Sequence, residues 1–167
     1  MLSALLIGCG QQGAPSNNMN SGDKPPIVSV LSDDSEMQGA MKAARDSFPE
    51  FWREVSLDYQ RPIPVLDGVM VKAYFSDHDK PEGGEHMWVH GVHYDGKAIS
   101  GTLASQPRHV ASVKPGEPVS FPLDRLSDWL HVEDDMAKGA FTVRLLRSRM
   151  SVEDRRAHDS HYPFRFE

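Results

Sequence analysis

Six polar and aromatic residues form the set in this chain that is best suited to bind a ligand. Trp88 and Trp129 are large amphipathic side chains that can flank a groove, in which a carboxylate fixes a polar ligand. In the alternative, structural interpretation, Asp128 caps a turn and Trp129 fills the core. Glu85 then pairs with Arg144, and we favour this interpretation because caps and ion pairs are common in any domain. The predicted groove comprises Glu85, His86, Trp88, Asp128, Trp129 and Arg144.

Glu85, His86 and Asp128 are also residue types that perform general acid–base catalysis. Such a role requires the three side chains to converge on one pocket. No other pattern supports catalysis: no serine lies in a Gly-x-Ser-x-Gly sequence, and Gly83-Gly84 follows no pattern of a phosphate-binding loop. We therefore predict no catalytic site, and an acid–base enzyme is the alternative.

Three closely spaced histidines raise the question of a metal site. Together with Glu85, they offer the residue types that bind zinc. On a regular strand, His86 and His90 share a face but lie roughly 13 Å apart, and His93 points to the opposite face. No two of them can then bind one tetrahedral ion at about 2 Å. We expect no metal and no cofactor.

Cys9 is the single cysteine of the chain, and its surroundings indicate lipid attachment. It closes the run Leu6-Ile7-Gly8-Cys9, which resembles the lipobox of bacterial lipoproteins, with an apolar residue at minus three and a small one at minus one. Two or more acyl chains on a cysteine anchor a protein stably in a membrane. Gly10 follows in place of an aspartate, which favours the outer membrane over the inner one. The alternative is a buried thiol.

The remaining composition indicates one tethered globular domain. Residues 1–8 read as a truncated signal segment, because no Lys or Arg precedes the apolar stretch; we expect the true start codon upstream. Residues 9–26 contain the lipidated cysteine and a flexible tether without aromatic or β-branched residues. Residues 27–167 then form a single domain on the periplasmic side of the cell envelope.

The net charge argues against two classes of partner. The 167 residues carry a formal net charge of −6, which argues against the binding of nucleic acids and of anionic membranes, because either would require a basic patch. A hydrophobic content of 39% and a charged content of 25% are ordinary for a globular chain. No run approaches 18 apolar residues, so the lipid on Cys9 is the only membrane contact that the sequence predicts.

Helical spacing predicts an amphipathic helix at the start of the domain. Asp33 and Glu36 fit a capping box there. Pro49 disfavours helical geometry, so we expect a kink or two helices at 34–47 and 49–56. The apolar stripe comprises Met37, Ala40, Met41, Ala44, Phe48, Phe51, Trp52 and Val55.

Residues 69–75 alternate with period two, which predicts a half-buried strand. Residues 85–94 and 97–103 form a hairpin across Asp95-Gly96, whose turn favours positive φ at both positions. Lys114-Pro115-Gly116-Glu117 predicts a type II turn, which leads into a strand containing Val119 and Phe121.

The C-terminal third reads as two further strands and a short helix. The strands contain Leu130 with Val132 and, beyond the Asp134-Asp135-Met136 connection, residues 141–145. Asp124 is placed as the cap of a helical turn over 126–129, and Ser151 as the cap of a short C-terminal helix. The predicted fold class is α+β: an N-terminal amphipathic helix packed on a strongly bent antiparallel β-sheet, or small open barrel, with a short C-terminal helix.

Six short segments, in order, carry a family resemblance. Together with Ala44-Arg45 in the first helix, they make the chain similar to the YegJ-like family, also called domain of unknown function 2314, over about residues 35–157. The resemblance implies a shared fold and agrees with export, because some members carry secretion signals; it implies no activity. The segments are Glu85-His86-Met87-Trp88-Val89, Gly101-Thr102-Leu103, Pro107, Val113-Lys114-Pro115-Gly116, Ser127-Asp128-Trp129 and Gly139-Ala140-Phe141-Thr142-Val143-Arg144.

Three functions are compatible with these observations. We favour an exported, lipid-anchored module that binds a protein or an envelope component without catalysis, because a tether is present and a catalytic set is not. The first alternative is an acid–base enzyme acting in the periplasm through Glu85, His86 and Asp128. The second is an inhibitor or immunity-type protein that blocks a toxin.

Overall fold

The computed structural model describes residues 34–78 and 80–167, with only the backbone for residues 80–82. The signal segment 1–8, Cys9 and its tether 9–26, the start of the domain at residue 27, and Asp33 lie outside the described residues. Their predicted roles are therefore not tested by this structure.

The described chain forms one open seven-stranded sheet with three helices, which confirms the α+β class. The strand order is β4-β3-β2-β1-β5-β6-β7, and every neighbouring pair is antiparallel except β6–β7. No helix of the described residues is long and apolar enough to cross a membrane. The elements are α1 Ser35–Asp58, β1 Asp67–Asp77, β2 Lys80–Tyr94, β3 Ala98–Leu103, β4 Pro118–Pro122, a 3-10 turn Leu123–Arg125, β5 Leu126–Glu133, β6 Met136–Gly139, α2 Phe141–Arg149, α3 Val152–Asp159 and β7 Arg165–Phe166.

Helix α1 is a single element from Ser35 to Asp58. Asp34 is the N-cap, and its side chain accepts from the Met37 N–H at 3.0 Å. Pro49 lies inside the helix, so the alternative of two helices is wrong. Phe48 and Phe51 are buried on both sides of the proline, and burial of this apolar face offsets the hydrogen bond that Pro49 cannot donate.

The inner face of the sheet holds the main core against α1. Trp129 of β5 stacks on Phe51 with ring centroids 4.8 Å apart, and its indole N–H donates to the Ala44 carbonyl at 3.0 Å. The Arg45 guanidinium donates to the Leu126 carbonyl at 2.8 Å. These polar contacts fix the helix on β5, while apolar burial supplies most of the packing free energy.

Helix α2 replaces the strand that alternation predicts at residues 141–145, so that prediction is wrong. Gly139 and Ala140 have φ values of +76° and +51°, which turn the chain out of β6. The Asp128 carboxylate, distant in sequence, then accepts the N–H groups of Phe141 and Thr142. The local alternation favours a strand, but the cap supplied by Asp128, which lies outside this segment, stabilises a helix instead.

Four local predictions concern the turns. Residues 95–97 join β2 to β3, which confirms the hairpin. The dipeptide predicts positive φ at both Asp95 and Gly96, but only Gly96 has it, at +92°; the Asp95 side chain instead accepts from the N–H groups of Lys97 and Ala98. Lys114–Glu117 closes a turn with Gly116 at φ +80°, as predicted. The Ser151 side chain accepts from Asp154 N at the start of α3, as predicted. The helical turn predicted over residues 126–129 is wrong, because these residues pair with β1 in the sheet.

Candidate functional site

The strand register places a row of three polar or aromatic side chains across the outer face of the sheet, which is the face opposite α1. Lys72 of β1 pairs with Trp88 of β2 on one side and with Asp128 of β5 on the other. The next row along contains Tyr74 paired with His86. We call these five residues the outer-face site.

Asp128 closes the outer-face site on the β5 side and is fully buried. Its carboxylate accepts from the N–H groups of Trp129, Phe141 and Thr142, each at 2.9 Å, and from the Thr142 hydroxyl. Phe141 and Thr142 are the first residues of α2, so the carboxylate also lies at the positive end of the helix dipole. Four donors occupy its oxygens, which leaves Asp128 a positioning role.

Lys72 is the charged group of the outer-face site nearest to solvent, with its side chain 13% exposed. Its ammonium donates to Thr142 Oγ1 at 2.8 Å, lies 4.0 Å from the Asp128 carboxylate, and sits 4.5 Å from the Trp88 ring centroid. Burial lowers the pKa of Lys72, while the Asp128 charge acts in the opposite direction. An ammonium has three donors, and one hydrogen bond is described. The site therefore offers donors to an incoming acceptor.

His86 and Tyr74 form the edge of the outer-face site away from α2. Their ring centroids are 5.1 Å apart. His86 retains an exposed edge, but packing of the ring against the protein and, second, the Lys72 charge lower its pKa from 6.5 to about 4. The imidazole is therefore neutral at pH 7 and adds no charge to that of Lys72.

We expect the His86→Gln variant to show a weaker dependence of stability on acid than the wild type. The folded pKa of His86 lies below the unfolded value, so the unfolded state takes up the proton first as the pH falls. The free energy of unfolding then decreases between pH 6.5 and about 4. Urea denaturation across this range measures the difference; His161→Gln, an exposed histidine after α3, is the control. An identical pH dependence of stability in wild type and His86→Gln would contradict the lowered pKa of His86 in the folded state.

The structure separates the other members of the predicted groove. His86, Trp88 and Asp128 come together on the outer face, whereas Trp129 is buried in the inner core. Glu85 accepts from the backbone N–H groups of Arg108 and His109, and so holds the loop before β4.

Two of the three predicted structural roles agree with these positions. Asp128 is a cap, although of α2, and Trp129 fills the core. The predicted pairing of Glu85 with Arg144 is wrong: Arg144 is exposed on α2, and its guanidinium lies 3.5 Å from the Glu167 carboxylate. Side chains alternate along β2, so Glu85 points to the face opposite His86. There its carboxylate accepts from backbone N–H groups at the far end of the sheet.

The acid–base set Glu85, His86 and Asp128 does not converge on one pocket. Glu85 and His86 are neighbours on a strand and point to opposite faces, and Asp128 is enclosed by its four donors. The outer-face site thus lacks the pair of accessible groups that acid–base catalysis by these residues requires.

The clustered histidines have separate surroundings. His86 packs on Tyr74, and His93 lies 5.7 Å from the Trp52 ring. A bulge between His90 and His93 shifts the alternation of side chains, so the predicted face of His93, which assumes a regular strand, does not follow. Within residues 34–78 and 80–167, no group of three His, Cys, Asp or Glu side chains is arranged to hold a metal ion.

The predicted groove lacks two residues of the outer-face site, Lys72 and Tyr74, and also Thr142, which contacts that site. Alternation marks Lys72 and Tyr74 as outward-facing on β1, but an outward lysine is usually solvated. Their burial depends on β2 and α2, which lie elsewhere in the sequence. Thr142 is missed because its segment reads as a strand.

The chain is similar to proteins from two bacteria. It is 37% identical over 135 residues to a putative ankyrin repeat protein of Neisseria meningitidis serogroup B, a match that covers 80% of this chain and 53% of the relative. It is 27% identical over 111 residues to the uncharacterized protein YegJ of Escherichia coli, covering 66% of this chain and 67% of that protein. The chain thus spans about half the length of the Neisseria relative. No solved structure matches it.

A family model described as "Uncharacterized protein conserved in bacteria (DUF2314)" matches residues 34–166, which is nearly the whole described domain. The match includes the three strands and the start of α2 that form the outer-face site. The chain therefore belongs to the DUF2314 family.

Proposed function

We propose that the chain is an exported, lipid-anchored module that binds a protein or another envelope component without catalysing a reaction. The observation that carries the binding proposal is the Lys72 ammonium. It is held nearly buried beneath Trp88, and it has donor capacity beyond its bond to Thr142. The oxygens of Asp128 are occupied by four donors, so the group available to a ligand is a cation.

This arrangement favours a ligand that presents a carboxylate or another oxygen acceptor. A charge-assisted hydrogen bond to a nearly buried ammonium is stronger than one in open solvent. Trp88 lies over the cation, and the paired rings of Tyr74 and His86 occupy the next row of the same face, which suits an apolar group next to the acceptor. Helix α2 covers the β5 side of the face, so the ligand approaches over β1 and β2.

Binding through this face is tested with the full chain and two variants of matched charge. His86→Glu places a carboxylate beside Lys72, where it competes with the ligand. Gln60→Glu adds the same charge at an exposed turn residue after the end of α1. Immobilised chains are incubated with envelope proteins and, separately, with purified cell-wall sacculi. We expect one fraction to bind wild type and Gln60→Glu alike and to bind His86→Glu on the order of tenfold more weakly.

Two results would overturn the binding proposal: retention of neither fraction by the wild type, or equal retention by His86→Glu. The anchor is tested in the same preparations. We expect acyl mass on the N-terminal cysteine and loss of membrane association in Cys9→Ser; persistence of that variant on the membrane refutes the anchor without affecting the binding result.

A further inference from the structure

A concave site lies at the C-terminal end of the domain, and its lining shares no residue with the outer-face site. It encloses about 460 Å³ between α2, the end of α3 and residues 162–166, within the range of small-molecule sites. It opens to solvent, so a ligand can enter without rearrangement of the backbone. The lining residues are Arg147, Asp159, Tyr162, Pro163, Phe164, Arg165 and Phe166.

Three aromatic rings form one wall of this cavity. The ring centroids of Tyr162, Phe164 and Phe166 lie 5.1 to 5.4 Å from one another, so the rings touch and leave no space for a group between them. Their planes are inclined to one another by 43° to 84°, so they form a stepped apolar wall rather than an aromatic cage for a cation. A planar ring suits such a wall, because it can pack edge-to-face or offset against a single ring.

The charges that line the cavity leave one cation uncompensated. Arg147 binds Asp159 through two hydrogen bonds of 2.8 and 2.7 Å, and its guanidinium lies 4.8 Å from the Phe166 ring centroid. Arg147 is also the first cause of the lowered pKa of Asp159, so this pair is neutral as a unit. Arg165 is exposed, and within the described part of the chain its guanidinium has no hydrogen bond or ion pair.

We propose that this cavity binds an organic anion that carries a planar ring. The ring packs against Tyr162 and Phe164, the two half-buried rings of the wall, and the carboxylate of the ligand pairs with Arg165. Nothing in the proposed function requires this site, because none of its lining residues belongs to the outer-face site and it does not depend on the lipid anchor.

Titration of the full chain with benzoate, followed by amide NMR, tests the proposal. Benzoate carries both required features, benzyl alcohol lacks the charge, and benzyltrimethylammonium reverses it. We expect saturable shifts at residues 159–166 with a dissociation constant on the order of 1–10 mM, because so small a ligand has a limited binding free energy. Benzyl alcohol and the ammonium compound should bind at least about fivefold more weakly, since each loses the ion pair.

Arg165→Gln should weaken benzoate binding by the same factor, whereas Arg125→Gln, an exposed arginine of the 3-10 turn, should leave it unchanged. Three outcomes would overturn the proposal: shifts that do not saturate, tighter or equal binding of the ammonium compound, or equal binding by Arg165→Gln. Because the variant side chain is exposed, its amide spectrum should otherwise match that of the wild type.

Discussion

Replacing Asp128 with alanine should lower the free energy of unfolding by about 3–5 kcal/mol, the range for breaking a buried ion pair. The carboxylate is fully buried and accepts from three backbone N–H groups and the Thr142 hydroxyl. Its loss leaves the N-terminal donors of α2 without an acceptor and the nearly buried ammonium of Lys72 without a counter-charge. Urea denaturation at pH 7 measures the change.

Two further variants separate these causes. Asp124→Ala removes an exposed carboxylate from the 3-10 turn and should change stability by less than about 0.5 kcal/mol. The double variant Lys72→Met with Asp128→Ala should be more stable than Asp128→Ala alone, because the unpaired buried cation is gone. If Asp128→Ala costs less than about 1 kcal/mol, the carboxylate does not hold α2 on the sheet.

An element can be predicted from sequence when it does not depend on distant residues in this way. The β2–β3 hairpin follows from Asp95-Gly96 and the alternation beside it, and helix α1 follows from its apolar stripe. These signals lie within the segment that they describe. Pro49 illustrates their limit, because whether a helix tolerates a proline depends on how much apolar surface its two halves bury together.

The site was less predictable than the fold for a related physical reason. Helix α2 requires a cap from Asp128, and Lys72 is distinguished from a solvated lysine only by Trp88 and Thr142 above it. The sequence nevertheless indicates His86, Trp88 and Asp128, because a large amphipathic ring can flank a groove and polar side chains can fix a ligand in it. The predicted ion pair of Glu85 with Arg144 is wrong because a carboxylate can accept from the backbone N–H groups of a loop as well as from an arginine.

Gly139→Ala should destabilise the domain by about 2–5 kcal/mol, through backbone strain of about 1–2 and overpacking of about 1–3 kcal/mol. Gly139 has φ +76°, and an added Cβ would lie well under 3.0 Å from both the backbone oxygen and the ring of Trp129. The oxygen belongs to β5, an interior strand of the sheet, and also accepts from Ala140 N at 2.7 Å. It cannot move away without disturbing the turn into α2.

Gly91→Ala is the matched control, because Gly91 also has positive φ, +63°, but nothing lies within 4 Å of the added Cβ. This variant carries the backbone cost alone, about 1–2 kcal/mol. The difference between the two unfolding free energies therefore measures the close approach of β6 to Trp129. Equal losses of unfolding free energy in both variants would mean that Trp129 and the turn into α2 move apart to accommodate the added methyl group. In that case the outer-face site does not need a rigid connection between β5 and α2 to hold Asp128 against Lys72.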